Sequence, residues 1–450
     1  MIIMKSVNKK IHFIYPSSYN DKGQILRSKR SVIPARVLPY LAALTPQQFE
    51  TRITYEKLDG LQYSDDADLI ALTGTLNHMP RAIDIAKEFK RLGKKVIIGG
   101  IGAYSLQHEI ENLDVFDSIV IGEVETAWNI ILDDFDRGHL EKIYQYQPLA
   151  ELKGLPFARY DLLKSKNYFK ALTDPKNYVV PIETSRGCPH GCMFCLVTQY
   201  WGKTMRYRPI SEVLDEIKYQ RGNYFFFTDD NIAINQDRAR ELFLALKPLG
   251  IHWMGQFDTT VMNNPEIIRL AGESGCRMAF IGVESLNKDN IISIQKKHNL
   301  NIQVKELIKS FKEANIRPIC SMMFGMDHDS PESITETINF MIDNKVDMIL
   351  PNILTPYPRT PMHKKFKDEN LILHDNYSLY DSFHCVFQPK QLKPDELEEV
   401  YWHTYRHFYN PKVILSRVLT RGNSRRIFKT LLLQLYMRNR VYRGIHPFSF

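Results

Sequence analysis

Three cysteines lie within eight residues in the stretch Thr184-Ser-Arg-Gly-Cys188-Pro-His-Gly-Cys192-Met-Phe-Cys195. This C-x3-C-x2-C spacing is too tight for a disulfide framework, and soft sulfur ligands are typical of iron–sulfur clusters or zinc. A structural zinc site takes four ligands, commonly in two separated pairs, and the sequence has no second pair. His190 is the candidate fourth ligand for zinc. A cluster with one open iron is the other interpretation.

Strand-like and helix-like segments alternate on both sides of the cysteine loop, which predicts parallel α/β sheets. We expect a doubly wound, Rossmann-like domain over residues 1–145, a linker over 146–176, a partial (β/α)6 barrel over 177–365 and a mainly helical, basic region over 366–450. The predicted strands of the first domain are Ile11–Tyr15, Arg52–Leu58, Leu69–Thr73, Val96–Ile98 and Ser118–Ile121. Those of the barrel are Val179–Thr184, Tyr224–Thr228, His252–Phe257, Met278–Val283, Pro318–Met323 and Met348–Ile353.

Polar residues and glycines cluster where these strands end. Ligands of parallel sheets bind beyond the carboxyl ends of the strands, so these positions are candidate site residues. Taken singly, each is equally well explained as a strand cap or a turn. In the first domain they are Thr73, Thr75, Gly99, Gly100, Gly122 and Glu123, and in the barrel they are Asp229, Asp230, Asn231, Gln256, Glu284 and Ser285.

The cysteine loop, with the aromatic Phe194 before its last cysteine, resembles the signature of the radical S-adenosylmethionine (radical SAM) superfamily. The resemblance implies a [4Fe–4S] cluster on Cys188, Cys192 and Cys195. It also implies that S-adenosylmethionine binds the open iron and is cleaved to a 5′-deoxyadenosyl radical. The residues implied to contact S-adenosylmethionine are Phe194, Asp229, Asp230, Asn231, Gln256, Glu284 and Ser285.

The first domain resembles the cobalamin-binding domain that precedes many radical SAM enzymes, through the segments 68–75, 96–102 and 120–126. Together with Leu155-Pro156, residues 324–327 and residues 355–358, the chain is similar to the branch that contains the hopanoid methylases. This implies a cobalamin-dependent methyltransferase acting on an unactivated carbon, with cobalamin near the first-domain site residues given above. Two departures are the missing D-x-H-x-x-G motif and Gly102, which stands where a histidine is usual.

Other functions stay open beside this one. A radical enzyme of another reaction type, such as cyclisation, epimerisation or desaturation, would use the first domain as an accessory or a relic. A tRNA methylthiotransferase is disfavoured, because that class carries three further N-terminal cysteines and no cysteine precedes Cys188. A non-catalytic iron–sulfur sensor is the alternative from a different class.

The net positive charge of the chain comes from its C-terminal region. Residues 400–450 contain ten Lys and Arg and no Asp or Glu, whereas the rest contains 49 basic and 51 acidic residues. This pattern disfavours a general nucleic-acid-binding protein. A helix around Ile427–Met437 could contact an anionic membrane or dock on the barrel. We expect a cytoplasmic protein, membrane-peripheral at most, with a small-molecule or lipid substrate and an external electron donor of flavodoxin or ferredoxin type.

The cluster assignment predicts the outcome of single cysteine replacements. Cys188→Ala, Cys192→Ala and Cys195→Ala should each lose iron, the broad visible absorption and all S-adenosylmethionine cleavage. Iron content, absorption spectra and 5′-deoxyadenosine formation measure this. A full cluster and full activity in Cys195→Ala would contradict the assignment.

Overall fold

The structure is a computed structural model that describes residues 9–28, 31, 33–145, 149–163, 179–418 and 424–447. The chain forms two compact units, Met1–Phe169 with Asn376–Asp381 and Lys170–Asp375 with Ser382–Phe450. Much of the expected linker, at 146–148 and 164–178, lies outside the described residues. The domain boundaries proposed above stay predictions.

The first unit is built on a parallel six-stranded sheet in the order β2-β1-β3-β4-β5-β6. Strand β3 is buried at all five positions, as expected for a continuous apolar run inside a parallel sheet. The chain passes from β1 to β2 on one side and to β3 on the other, so the strand order reverses between β1 and β3. The predicted Rossmann-like arrangement is confirmed. Its strands are β1 Lys10–Tyr15, β2 Glu50–Tyr55, β3 Leu69–Thr73, β4 Lys95–Gly99, β5 Ser118–Ile121 and β6 Ile143–Gln145.

Helices cover this sheet, and one strand is shorter than its apolar pattern suggests. The predicted strand Arg52–Leu58 ends at Tyr55, because Glu56 begins a helical turn. The buried Glu56 carboxylate pairs with Arg81 at 2.6 Å and accepts a hydrogen bond from the Ser17 amide. These contacts hold the first residue of α2 in place. The helices are α1 Val37–Leu44, α2 Glu56–Asp59, α3 Met79–Arg91, α4 Ile101–Ser105, α5 Gln107–Ile110 and α6 Trp128–Arg137.

The second unit contains a parallel sheet in the order β14-β13-β12-β11-β10-β7 and a two-stranded antiparallel ladder, β8-β9. The six β/α repeats confirm the predicted partial barrel. Its strands are β7 Val179–Ile182, β8 Ser185–Arg186, β9 Arg206–Tyr207, β10 Tyr224–Phe227, β11 His252–Phe257, β12 Cys276–Glu284, β13 Arg317–Phe324 and β14 Met348–Ile353. Its helices are α7 Val197–Tyr200, α8 Ile210–Gln220, α9 Gln236–Leu246, α10 Pro265–Glu273, α11 Lys288–Ser293, α12 Val304–Glu313, α13 Pro331–Asp343 and α14 Pro361–Asp368.

Three helices complete the second unit: α15 Pro394–Phe408, α16 Pro411–Val418 and α17 Ser424–Tyr442. Three aromatic side chains of α15, those of Tyr401, Tyr405 and Phe408, are fully buried. The buried Arg417 guanidinium lies 3.7 Å from the centre of the Phe408 ring and donates to the Phe408 carbonyl, which joins α16 to α15. Among the described residues, no helix combines the length and apolar character needed to cross a bilayer.

Candidate active site

The segments that precede and follow the cysteine loop are held together by a short antiparallel ladder, β8-β9. Ser185 pairs with Tyr207 in the antiparallel β8-β9 ladder, and the Arg208 amide donates to the Thr184 carbonyl at 2.9 Å. Gly187 follows β8 with φ +96°, and a Cβ there would lie 2.5 Å from the Thr204 carbonyl oxygen. The two arms of the loop therefore approach so closely that only glycine fits at this position.

The middle of the loop is fastened to two other segments of the unit. The Met193 amide donates to the Ile294 carbonyl at 3.1 Å, and the Met193 carbonyl accepts from the Met362 amide at 3.0 Å. Met193 lies between the second and third cysteines, so these bonds place the ligand-bearing segment against residues that follow α11 and begin α14.

The three cysteines of the loop are free thiols and partly or fully buried. Burial is the main cause that raises the pKa of Cys188 to about 11 and that of Cys195 to about 12. Cys192 also raises the pKa of Cys188 and of Cys195, and Cys188 raises that of Cys195, so the three thiols lie near one another. A thiolate is stable in such surroundings when a metal centre supplies positive charge. The donor set fits an iron–sulfur cluster with three protein ligands.

His190, within the cysteine loop, contacts Asp258 and His298. Its Nε2 lies 2.5 Å from Asp258 Oδ2, and its ring stacks on His298 with centroids 3.7 Å apart and planes 17° from parallel. One ligand atom each from His190, Asp258 and His298 lies within 4.8 Å of the others, so these three side chains could together hold a metal ion. Burial alone would raise the pKa of Asp258, but hydrogen bonds from His190 and Thr260 lower it to about 2. The bond of His190 Nε2 to Asp258 disfavours His190 as a fourth zinc ligand beside the three cysteines.

The carboxylate of Asp229, at the end of β10, is directed at the cysteine loop. It is fully buried and accepts from the Thr184 amide at 3.0 Å, the Thr184 hydroxyl at 2.6 Å and the Ser185 hydroxyl at 2.5 Å. Gln256 donates to the Asp229 carbonyl at 3.2 Å. In this structure Asp229 is a positioning residue, and a direct contact with S-adenosylmethionine stays a prediction.

Asp230, next along the chain, differs from Asp229 in its surroundings. Burial, followed by the charges of Asp229 and Glu183, raises the pKa of Asp230 to about 7, while a hydrogen bond from the Gly187 amide opposes this shift. Asp230 therefore lies against the start of the cysteine loop. Asn231 is buried near Asp258, and Phe194 is half-buried within the loop.

At the end of β12, Glu284 has a left-handed backbone with φ +63° and a buried carboxylate. Lys296 Nζ lies 2.5 Å from Glu284 Oε1 and donates to the Gly282 carbonyl at 3.0 Å. Strained backbone of this kind is concentrated at functional sites. Ser285, by contrast, accepts from the Asn287 amide at 3.1 Å and shapes the turn into α11. The burial of Lys296 is not evident from the sequence, because it is one of two adjacent lysines and its neighbour Lys297 is exposed.

The predicted residues of the first unit lie at the carboxyl edge of its sheet. Gly100 has φ +87° and contacts the Thr73 hydroxyl so closely that a Cβ would collide with it. A Cβ at Gly122 would meet nothing within 4 Å, so there is space beside this residue. The Glu123 carboxylate is buried and accepts from the Ala150 amide at 3.0 Å. Thr75 is exposed, and Gly99 ends β4.

Two observations concern a possible imidazole ligand at this edge: the lack of space for a side chain at position 102, and the contacts of the nearby His78. A Cβ at Gly102 would lie 2.7 Å from the Gly74 carbonyl oxygen, so a side chain there would force the backbone apart. His78 packs edge-on against Tyr15 and bonds to the Thr75 hydroxyl at 2.7 Å. Burial is the main cause that lowers the pKa of His78 to about 4, so its ring is neutral at pH 7.

Comparison with known proteins identifies the second unit. Residues 182–341 match the family model described as the Radical SAM superfamily. Residues 182–341 are therefore a radical SAM domain. The radical SAM domain carries the cysteine loop and the ends of the barrel strands, and the assignment implies a [4Fe–4S] cluster and S-adenosylmethionine.

Characterised relatives of this radical SAM protein include methyltransferases. It is 29% identical to bacteriochlorophyllide d C-12(1)-methyltransferase from Chlorobaculum tepidum, over 78% of this chain and 76% of that protein. It is 22% identical to the hopanoid C-2 methylase of Rhodopseudomonas palustris, over 76% of this chain and 66% of that protein. The predicted likeness to the hopanoid methylase branch is confirmed.

A solved structure supports the fold over nearly the whole chain. The cobalamin-dependent S-adenosylmethionine radical enzyme OxsB, with aqua-cobalamin and S-adenosylmethionine bound, superposes with a TM-score of 0.67. The match covers 97% of this chain and 72% of OxsB at 12% identity. The radical SAM protein therefore shares both the N-terminal sheet and the barrel with that fold.

A matched pair of glycine variants tests the geometry of the cysteine loop. Gly187→Ala should prevent retention of the cluster, because its Cβ would meet the Thr204 backbone and its φ is unfavourable for alanine. Gly191→Ala is the control, since its Cβ approaches only the flexible Lys203 side chain at 3.3 Å. Iron content after anaerobic reconstitution is the measurement. Equal iron content in both variants would show that the cluster is retained when the segments at Gly187 and Thr204 move apart.

A second set of variants tests the buried pair at the end of β12. Glu284→Gln keeps the shape but removes the charge, and S-adenosylmethionine affinity should fall about ten- to a hundredfold with the cluster intact. Asp230→Asn should behave similarly. Lys296→Met leaves a buried carboxylate without its cation and should lower the free energy of unfolding by about 3–5 kcal/mol.

The adjacent, exposed Lys297 supplies the control for that set, and Lys297→Met should match the unaltered protein. Affinity is measured by equilibrium binding of S-adenosylmethionine to the reconstituted protein, and stability by denaturant unfolding. Unchanged affinity in both carboxylate variants would remove the ends of β10 and β12 from the binding site.

Proposed function

We propose that this protein is a cobalamin-dependent radical SAM methyltransferase that acts on an unactivated carbon of a small molecule. The observation that carries the proposal is the set of three free thiols held at the ends of barrel strands, next to Asp230 and the Glu284–Lys296 pair. The relatives named as methyltransferases support the type of reaction.

In this function the residues of the second unit divide into ligands and supports. Cys188, Cys192 and Cys195 would hold the cluster, which when bound supplies the electron that cleaves S-adenosylmethionine. Glu284 and Asp230 would bind S-adenosylmethionine through charge-assisted hydrogen bonds. Other groups, among them Asp229, Lys296 and the His190–Asp258 pair, would keep these residues in place.

The barrel strands show one half-exposed face that suits an apolar substrate. Side chains alternate along β10, β11 and β12, so that buried residues alternate with half-exposed ones. The half-exposed face carries Phe226, Met254 and Phe280, and the rings of Phe226 and Phe280 meet edge to face at 6.0 Å. Asn352 and Ser321 add a polar pair at 3.2 Å. An apolar lining would keep water away from a reactive radical.

The first unit would hold cobalamin at the carboxyl edge of its sheet, where the strand order reverses. The space beside Gly122 and the bare Gly99-Gly100 segment allow close approach of a large flat ligand, and Thr73 and Thr75 would line it. When bound, cobalamin would carry the methyl group. Because Gly102 bears no side chain and His78 is engaged with Tyr15 and Thr75, we propose a base-off form without a protein imidazole.

Radical SAM enzymes act on small-molecule substrates and need a reductant. That the donor is of flavodoxin or ferredoxin type stays our proposal, as do a lipid substrate and peripheral contact with an anionic membrane. Residues 400–450 hold ten Lys and Arg and no Asp or Glu, and this charge favours an anionic partner such as an acidic protein donor or an anionic membrane.

A radical enzyme of another reaction type is the second candidate. Gly102 favours it, because the usual loop histidine is absent and could not be accommodated. In that case the first unit would be an accessory or a relic that does not bind cobalamin.

Product analysis of the reconstituted protein separates the two candidates. We expect 5′-deoxyadenosine in every reduced reaction with S-adenosylmethionine, and S-adenosylhomocysteine when hydroxocobalamin is present as well. Electron paramagnetic resonance of bound cob(II)alamin should lack superhyperfine splitting from an axial nitrogen. Formation of 5′-deoxyadenosine alone, with no cobalamin bound, would favour the second candidate. Cys195→Ala serves as the control that forms no 5′-deoxyadenosine.

A further inference from the structure

Helix α17 presents large apolar side chains to solvent. Phe428, Leu432 and Leu435 are 61%, 50% and 45% exposed. Their spacing of four and three residues places them on one face of the helix, and the exposed Tyr442 continues this face one heptad after Leu435. We call Phe428, Leu432, Leu435 and Tyr442 the apolar stripe. An exposed apolar ridge of this length is unusual for a helix that is already docked.

The opposite face of α17 is buried and combines the polar Thr430 and Gln434 with the apolar Met437 and Val441. Gln434 is 1% exposed, and its Nε2 donates to the Asp347 carbonyl at 2.6 Å while its Oε1 accepts from Arg417 at 3.0 Å. Arg317 donates to the buried Thr430 hydroxyl at 3.3 Å. These bonds fix the rotation of the helix. The side that carries Gln434 and Thr430 faces the unit, and the apolar stripe is therefore not needed for docking.

Positive charge flanks the apolar stripe without compensation in the sequence. Residues 400–450 contain ten Lys and Arg and no acidic residue. The Arg438 guanidinium lies 4.5 Å from the centre of the Tyr442 ring, that of Arg440 lies 5.8 Å from the Tyr436 ring, and Arg443 is exposed. The side chains of Arg425, Arg426 and Lys429 lie outside the described residues.

We propose that α17 lies on the surface of an anionic lipid bilayer, with Phe428, Leu432 and Leu435 inserted among the acyl chains. Arginine beside tyrosine is the combination suited to the headgroup layer, where long cationic side chains reach phosphate while their stems stay apolar. A second copy of this chain is a poorer occupant, because two such faces would bring together like charges. The proposal is independent of the methyl-transfer function, since α17 contributes none of the residues assigned to the site.

Vesicle binding by the full-length protein tests this surface. We expect co-sedimentation with vesicles of phosphatidylcholine and phosphatidylglycerol, at least about tenfold tighter than with phosphatidylcholine alone, because several basic residues each favour the anionic surface. High salt should weaken the binding. The triple variant Phe428→Ser/Leu432→Ser/Leu435→Ser should lose binding, while its 5′-deoxyadenosine formation stays normal.

The matched control replaces equally exposed apolar residues elsewhere, as Leu244→Ser/Ile292→Ser, both 51% exposed, and should bind vesicles as the unaltered protein does. Circular dichroism checks that both variants are folded. Failure to bind anionic vesicles at low salt would overturn the proposal, as would undiminished binding by the triple variant. Light scattering that shows a dimer, converted to a monomer by the triple variant, would assign the stripe to a second copy.

Discussion

The buried carboxylate of Asp229 is the contact on which the organisation of the barrel mouth depends. It gathers the amide and hydroxyl of Thr184 and the hydroxyl of Ser185, and so joins the end of β10 to the segment that leads into the cysteine loop. A buried carboxylate is tolerated only when its oxygens accept hydrogen bonds. This requirement fixes the end of β10 relative to the segment Thr184–Ser185. The position of Cys188, three residues after Ser185, follows from that junction.

The sequence predicted the sheets well because their strands are continuous apolar runs followed by glycine or polar residues. The strand at Leu69–Thr73 and the six barrel strands were found for this reason. The short β6 was missed, because the three residues Ile143–Gln145 carry too little pattern. The strand predicted to continue to Leu58 ends three residues earlier, since the pairing of Glu56 with Arg81 connects residues that are 25 positions apart.

The cysteine ligands of the candidate site could be predicted from the sequence, but the residues that position them were harder to predict. The cysteine spacing and the polar strand ends are local signals, and the family model bears out the class of site that they indicate. The direction of a side chain is not a local signal, so Asp229 and Asp230 looked equivalent although only Asp229 reaches Thr184 and Ser185. Lys296 and His298 were missed because their burial depends on packing across the barrel mouth.

The ladder that closes the base of the cysteine loop has a consequence for how the protein acquires its cluster. With Ser185 paired to Tyr207 and Met193 bonded to Ile294 and Met362, the loop has its fixed course in the polypeptide alone. Part of the entropy lost on ordering the ligand segment is therefore offset by polypeptide contacts and not by ligand bonds alone. Cluster binding would then have to order only the part of the segment that these bonds leave unrestrained.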